Sequence, residues 1–265
     1  MQPTLTVVGA AGRMGRRIIA LALESQTFDI VGAVEAAGHP DIGKDAGVLA
    51  GVGQINVPIT NQFPPETDVV IDFSLPEAAV ETADICQAKK TALVMGTTGL
   101  DDQARQKLSE TSEKIPVIYG TNMSVGMNVL FAVVGELAKM LGDEYDIEIV
   151  EHHHRFKKDS PSGSALTIAE NICRATGLEF PTCIRNGREG KDALREKSEI
   201  GMHAIRAGDI VGYHSVMFAT LGENLSISHT ATNRDNFARG AVKAAQWLAG
   251  KEPGAYTMAD VLGLK

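Results

Sequence analysis

The segment VVGAAGRMGRRI, residues 7–18, constrains the fold more than any other part of the chain. An apolar strand, Leu5–Gly9, runs into glycines at positions 9, 12 and 15. Helical periodicity follows over Gly12–Glu24, through Met14, Ile18, Ile19 and Leu21–Leu23. A strand that turns through glycines straight into a helix must cross over the face of a sheet, and the next strand then lies parallel to it. The rest of the first half repeats that alternation. Strands are predicted at Asp29–Glu35, Thr67–Phe73, Thr91–Met95 and Pro116–Tyr119, with helices at Pro76–Lys89 and between the last two strands. The expectation is a mostly parallel α/β sheet covered on both faces.

The pattern changes after about Ser124. A helix over Val129–Leu141 leads into a strand, Tyr145–His154. Further strands are predicted at Ala204–Ala207, Asp209–Thr220 and Asn224–Ala231 with no long helices between them. Such a run predicts an antiparallel or mixed open sheet, hence a second domain. A final helix, Phe237–Leu248, carries Trp247 toward an expected buried position.

A chain with 44% hydrophobic and 22% charged residues can bury a full core and need not be disordered. The net charge of −8 and the scattered basic residues argue against a nucleic-acid partner. No apolar run approaches the roughly 18 residues that span a bilayer. The first residues enter a strand directly, so neither a cleaved leader nor a membrane partner is expected, and a cytoplasmic location is. Cys86, Cys173 and Cys183 form no CxxC pair, which fits reduced thiols.

The glycine loop has the context of a dinucleotide site: a strand before it, a helix after it, and a carboxylate, Glu35, twenty residues beyond Gly15 at the end of the second strand. Arg13 can add a charged contact to a pyrophosphate, and Glu35 can accept from ribose hydroxyls. Two more loops, Asp72–Ser74 and Met95–Gly99, follow apolar strands at their carboxyl ends, where open parallel sheets bind ligands.

Acid–base chemistry concentrates in EHHHRFKKDSPSGSA, Glu151–Ala165. Imidazoles exchange protons near neutrality, and lysines hold or protonate anions. The Ser-Gly-Ser turn opens an amphipathic helix ending at Gly177, capped by Ser162 or Ser164, and a helix N-terminus attracts anions. If the strand runs through His154, then His152 and His154 share a face and His153 points the other way. No third ligand accompanies that pair, so no metal is expected. Together these groups suit a small acidic substrate that must be bound and protonated.

This stretch resembles the signature of the 4-hydroxy-tetrahydrodipicolinate reductase (dihydrodipicolinate reductase) family of diaminopimelate and lysine biosynthesis, approximately E-x-H-H-x-x-K-x-D-x-P-S-G-T-A. GAAGRMG, IDFS, MGTTG, TNMSVG, RAGDIVGYH and FARGAVKAAQWL are similar to family segments in the same order. The resemblance implies an oxidoreductase that passes a hydride from NADH or NADPH to a cyclic imine dicarboxylate. It implies that His153 and Lys157 are catalytic and that His154, Gly163 and Ser164 bind substrate. Cofactor contacts would come from Gly9, Ala10, Ala11, Gly12, Arg13 and Met14, from Glu35, from Gly96, Thr97 and Thr98, and from Gly120, Thr121, Asn122 and Met123. The implied fold is a Rossmann-like dinucleotide-binding domain, residues 1–125 and 235–265, plus an α+β substrate-binding and oligomerisation domain, residues 126–234. The open mixed sheet of the second domain would build a homotetramer.

Two positions depart from the family pattern. Members that use NADPH well often carry Arg after the acid, whereas Ala36 and Ala37 follow Glu35 here; an NADH preference is expected unless Lys44 or Arg13 compensates. Ser164 stands where Thr is usual, and either hydroxyl can donate. The rival readings are another aspartate-pathway NAD(P)-dependent dehydrogenase, which would not need the His-Lys cluster, and a dinucleotide-sensing regulator, which could dispense with it.

Overall fold

The structure, a computed structural model, describes residues 2–264; Met1 and Lys265, the outer ends of the expected domain ranges, lie outside the described residues. The chain divides into two compact units, one holding residues 2–125 and Arg234–Leu264, the other Gly126–Asn233.

The first unit is built on β1 (Thr4–Val8), α1 (Arg13–Ser25), β2 (Asp29–Val34), α2 (Ala46–Ala50), β3 (Ile59–Thr60), β4 (Val69–Asp72), α3 (Ala79–Lys89), β5 (Ala92–Met95), α4 (Asp102–Ser112) and β6 (Pro116–Tyr119). Its seven-stranded sheet has the order β12-β6-β5-β4-β1-β2-β3, with β12 (Gly254–Tyr256) arriving near the end of the chain, and every pairing is parallel. Strands buried on both faces need unbroken apolar runs, which is why β4 reads VVID and β5 ALVM with every residue buried. The order reverses between β1 and β4, and at such a switch point the loops leaving the two carboxyl ends diverge and leave room for a ligand. Helix α7 (Asp235–Leu248) presents a small-residue stripe, Ala238, Ala241, Ala244 and Ala245, to the core beneath this sheet. At Gly240 a Cβ would stand 1.7 Å from the Met123 carbonyl oxygen, so α7 seats directly on the loop after β6. Trp247 is half-buried rather than enclosed: it packs edge-on against Tyr256 at 5.2 Å with Lys251 over its ring.

The second unit packs α5 (Val125–Leu141) and α6 (Gly163–Thr176) on one face of a five-stranded mixed sheet. The order is β11-β10-β7-β9-β8, from β7 (Asp146–His153), β8 (Ile184–Asn186), β9 (Ile200–Arg206), β10 (Gly212–Thr220) and β11 (Glu223–Ala231). The β7–β10–β11 pairings are antiparallel, and those of β7 and β8 with β9 are parallel. Strand β7 alternates cleanly, with Ile147, Ile149 and Glu151 buried toward the helices. Apolar residues therefore point into the core up to Ile149, and the next inward position is a carboxylate. Cys173 and Cys183, ten residues apart, bring their sulfurs to 3.2 Å as free thiols, a juxtaposition that their spacing did not announce.

Candidate active site

In the first unit the glycine loop leaves β1 with Gly9 at φ +75°, where a Cβ would meet the Phe73 carbonyl oxygen at 2.6 Å. At Gly15 a Cβ would fall 2.2 Å from the Gly9 carbonyl oxygen, so only glycine lets α1 start this close to the strand. The loop amides are largely used within the chain. Those of Gly9 and Ala10 donate to Val34 O, that of Gly12 to Gly9 O, and that of Ala11 to the Glu35 carboxylate at 3.1 Å. No side chain caps α1, so its first-turn amides, at Arg13 and Met14, are the ones oriented outward toward an anion. Glu35 thus lies against the loop that it would serve, accepting from Ala36 N–H as well.

Asp72, fully buried at the end of β4, ties two of the predicted loops together: one of its oxygens accepts from Ser74 N–H, from Ser74 Oγ and from Thr97 Oγ1. Its other oxygen has no partner among the described residues. Gly96 faces the Phe73 ring, which a Cβ would strike at 2.3 Å, and Thr98 is exposed beside it. In the 120–123 loop, Asn122 Oδ1 accepts from Ser124 N–H. A cleft of about 320 Å³ opens along Gly9, Glu35, Ala36, Ala37, Ser74 and Glu81. Glycines that admit no Cβ, an uncapped helix start and a carboxylate beside a cleft at the switch point together fit a dinucleotide.

The acid–base groups lie in the second unit. Strand β7 ends at His153, not His154, so the alternation expected to pair His152 with His154 stops short. His152 packs on Tyr213, with ring centroids 4.7 Å apart, and His154 lies past the strand end beside Phe156. The inward face instead joins Glu151 to His153, whose Nδ1 is 2.5 Å from Glu151 Oε2. Arg206, at the end of β9, grips the same carboxylate with both terminal nitrogens at 2.7 Å, and Ser162 N–H donates to it at 3.0 Å. Burial acts to raise this carboxyl, but the hydrogen bonds from His153 and Arg206 outweigh it and hold it down at about 2.

Ser162, not Ser164, is the N-cap of α6: its Oγ accepts from Ala165 N–H, which places Gly163 and Ser164 at the first two helical positions. The same Oγ is 2.9 Å from Nε2 of His214, a buried residue of β10. Burial, reinforced by the neighbouring His153, pushes His214 down to about 3, so it stays neutral at working pH. Lys157 Nζ pairs with Asp159 at 2.9 Å, and the Lys157 side chain is the more enclosed of the two. The structure therefore gathers Glu151, His153, Lys157, Gly163 and Ser164 into one region of the unit. It adds three groups that the sequence reading passed over: Glu151 as a buried carboxylate, Arg206 and His214. Among the described residues, no group of three or more His, Cys, Asp or Glu side chains is arranged to hold a metal ion.

A switch-point glycine loop in one unit and a buried carboxylate–histidine pair in another define the scaffold of a two-domain dinucleotide-dependent oxidoreductase. Family models take the comparison further: residues 4–123 match "Dihydrodipicolinate reductase, N-terminus" and residues 126–262 match "Dihydrodipicolinate reductase, C-terminus". The chain is 48% identical over 264 residues to the 4-hydroxy-tetrahydrodipicolinate reductase of Trichlorobacter lovleyi, covering 98% of this chain and 99% of the relative. It is 46% identical to that of Geobacter sulfurreducens with the same coverage. Among solved structures it shares its fold with dipicolinate-bound dihydrodipicolinate reductase from Paenisporosarcina sp. TG-14, with TM-score 0.76 at 19% identity, covering 98% and 99% of the two chains. The chain belongs to the dihydrodipicolinate reductase family.

Proposed function

We propose that this chain reduces 4-hydroxy-tetrahydrodipicolinate (dihydrodipicolinate) to tetrahydrodipicolinate with NADH or NADPH, in diaminopimelate and lysine biosynthesis. The observation that carries the reading is the His153 imidazole, held on a buried carboxylate in the same unit as Lys157 and the N-terminus of α6. The bound nicotinamide supplies the hydride. First-turn amides of α1 would hold the pyrophosphate, Glu35 would accept from the ribose hydroxyls, and the loops at Gly96–Thr98 and Gly120–Met123 would complete the cofactor contacts.

On the substrate side, a carboxylate placed on the first turn of α6 meets the Gly163 and Ser164 amides and the favourable end of the helix dipole. His154 contributes a further polar contact. A proton delivered by His153 or Lys157 to the ring nitrogen neutralises the charge that builds there as the carbon is reduced. General acid catalysis of this kind contributes about 10²–10⁴-fold. Oxidation of NADH or NADPH in the presence of the product of dihydrodipicolinate synthase, generated in situ, tests the reading; no substrate-dependent oxidation refutes it.

We further propose that NADH is preferred. The cleft beside Glu35 is lined by two carboxylates, Glu35 and Glu81, and by no Lys or Arg. Lys44 is engaged with Asp41 at 2.6 Å, an oxygen pair that Arg16 shares. A 2′-phosphate would thus enter a negative site. A tenfold or greater advantage of NADPH in kcat/KM overturns this. A homotetramer is proposed through the sheet face turned away from α5 and α6, where Ile205 and Met217 are exposed; light scattering after gel filtration reads it out. A cytoplasmic location fits the small soluble substrate, and no helix among the described residues is long and apolar enough to cross a membrane.

A further inference from the structure

We propose that Glu151 is a positioning residue that fixes the tautomer of His153, keeping the proton on Nδ1 and leaving Nε2 as the nitrogen that exchanges a proton with substrate. The inference rests on the reading of His153 as an acid–base group and adds how that group is oriented.

Each oxygen of the Glu151 carboxylate faces two donors. Oε1 meets Arg206 Nη2 at 2.7 Å and Ser162 N–H at 3.0 Å; Oε2 meets Arg206 Nη1 at 2.7 Å and His153 Nδ1 at 2.5 Å. A guanidinium and a backbone amide can only donate. The guanidinium paired across both oxygens keeps the carboxyl ionised, so it is acceptor in all four contacts. The proton shared with the ring then belongs to Nδ1. A free neutral imidazole in water favours the opposite tautomer, with the proton on Nε2, so the choice is made by the surroundings.

The carboxylate itself has no freedom to choose otherwise. Glu151 is 0% exposed, sits two residues before His153 on the same face of β7, and is clamped from β9 by Arg206 and from the start of α6 by Ser162. The far edge of the ring lies over Gly212, where a Cβ would come within 3.3 Å of Nε2. In turnover the doubly protonated ring gives up the Nε2 proton to the substrate nitrogen and becomes neutral. The other proton stays on Nδ1, hydrogen-bonded to Glu151, and solvent restores the one that left. Through the cycle Glu151 touches neither substrate nor cofactor.

Nitrogen-15 spectra of the wild-type protein test the assignment without any substitution. Neutral His153 should show a pyrrole-type Nδ1 and a pyridine-type Nε2; a pyrrole-type Nε2 overturns the proposal. Kinetics of Glu151→Gln, His153→Gln and the double variant supply the second arm. Glu151→Gln should lower kcat on the order of 10²-fold with KM changed less than threefold. The double variant should be no slower than His153→Gln alone, because Glu151 acts through the ring. Independent, multiplying losses would mark Glu151 as a structural residue and refute positioning. If His153→Gln keeps full activity, the acid–base reading itself has failed. If only Glu151→Gln keeps it, the positioning role alone is lost.

Discussion

Replacing Glu151 with Gln should destabilise the second unit in a way that fades as the solution is acidified. The carboxyl is held at about 2 in the folded protein against an ordinary 4.5, a gap of about 2.5 pH units, and each unit is worth about 1.4 kcal/mol. The ionised form therefore contributes about 3.4 kcal/mol. Glu151 is fully buried and the Arg206 side chain is 19% exposed, so solvent screens the pair little. Because the folded value is depressed, this stabilisation is complete above the unfolded value, near pH 5 and higher. It is lost as pH falls toward 2. By pH 3.5 about 1.4 kcal/mol is gone. Glutamine keeps the shape but not the charge and leaves the Arg206 guanidinium uncompensated at every pH. Urea unfolding of both proteins at pH 7 and pH 3.5, followed by far-UV circular dichroism, reads the difference; Trp247 fluorescence separately follows the unit that does not contain the substitution. The expected gap is about 3 kcal/mol at pH 7, narrowing to about 2 kcal/mol at pH 3.5. A gap under about 1 kcal/mol at pH 7, or one independent of pH, refutes the reasoning.

Gly15→Ala would place a Cβ 2.2 Å from a backbone oxygen, so the loop or α1 must shift; we expect at least a tenfold (~1.4 kcal/mol) weaker Kd for NADH by titration calorimetry, with unchanged circular dichroism, and an unchanged Kd would contradict the cradle. Lys157→Ala should lower kcat by on the order of 10²-fold while leaving cofactor affinity intact, and near-normal turnover would remove Lys157 from the proton-donating role. Ala36→Arg puts a guanidinium beside Glu35; a charge-assisted hydrogen bond of about 1.5–3 kcal/mol to the 2′-phosphate should raise the NADPH/NADH ratio of kcat/KM by about ten- to a hundredfold, and no change would show that the phosphate lies elsewhere.

The main elements of the first unit were legible because α1 repeats its helical period and the central strands are unbroken apolar runs between turn residues. Strand β6 coincides with the predicted Pro116–Tyr119, and β4 and β5 lie within the predicted apolar runs. The short ones were not. Ile59–Thr60 is a two-residue strand, too short to alternate, and exists because Ala33 and Val34 of β2 pair with it. The 184–186 and 254–256 strands likewise take their form from a neighbour's open edge. Helix α5 begins at Val125, four residues before its periodic pattern reads as helix, because Gly126 and Asn128 have low propensity. Met127 between them is nonetheless 0% exposed, so tertiary burial overrides the local preference.

The acid–base cluster divides along a similar line. His153, Lys157, Gly163 and Ser164 stand close together in the chain and could be read as one motif. Glu151 was equally legible, since the period of two that sets the histidines on faces also sets Glu151 with His153. Arg206 and His214 could not be found this way. They arrive from two other strands, and what brings them in is register: His153 pairs with Arg206 across β7–β9, and Glu151 with His214 across β7–β10. A slip of one residue in β10 would put Tyr213 or Ser215 opposite Glu151 and turn His214 to the other face, away from the Ser162 hydroxyl that caps α6. Val216 and Phe218, the inward apolar positions of β10, forbid that slip, because it would turn both out of the core that Ile147 and Ile149 of β7 and Met202 of β9 line. The hydrophobic core of the second unit thus fixes the polar cluster, and residues with no chemistry of their own decide which side chains meet Glu151.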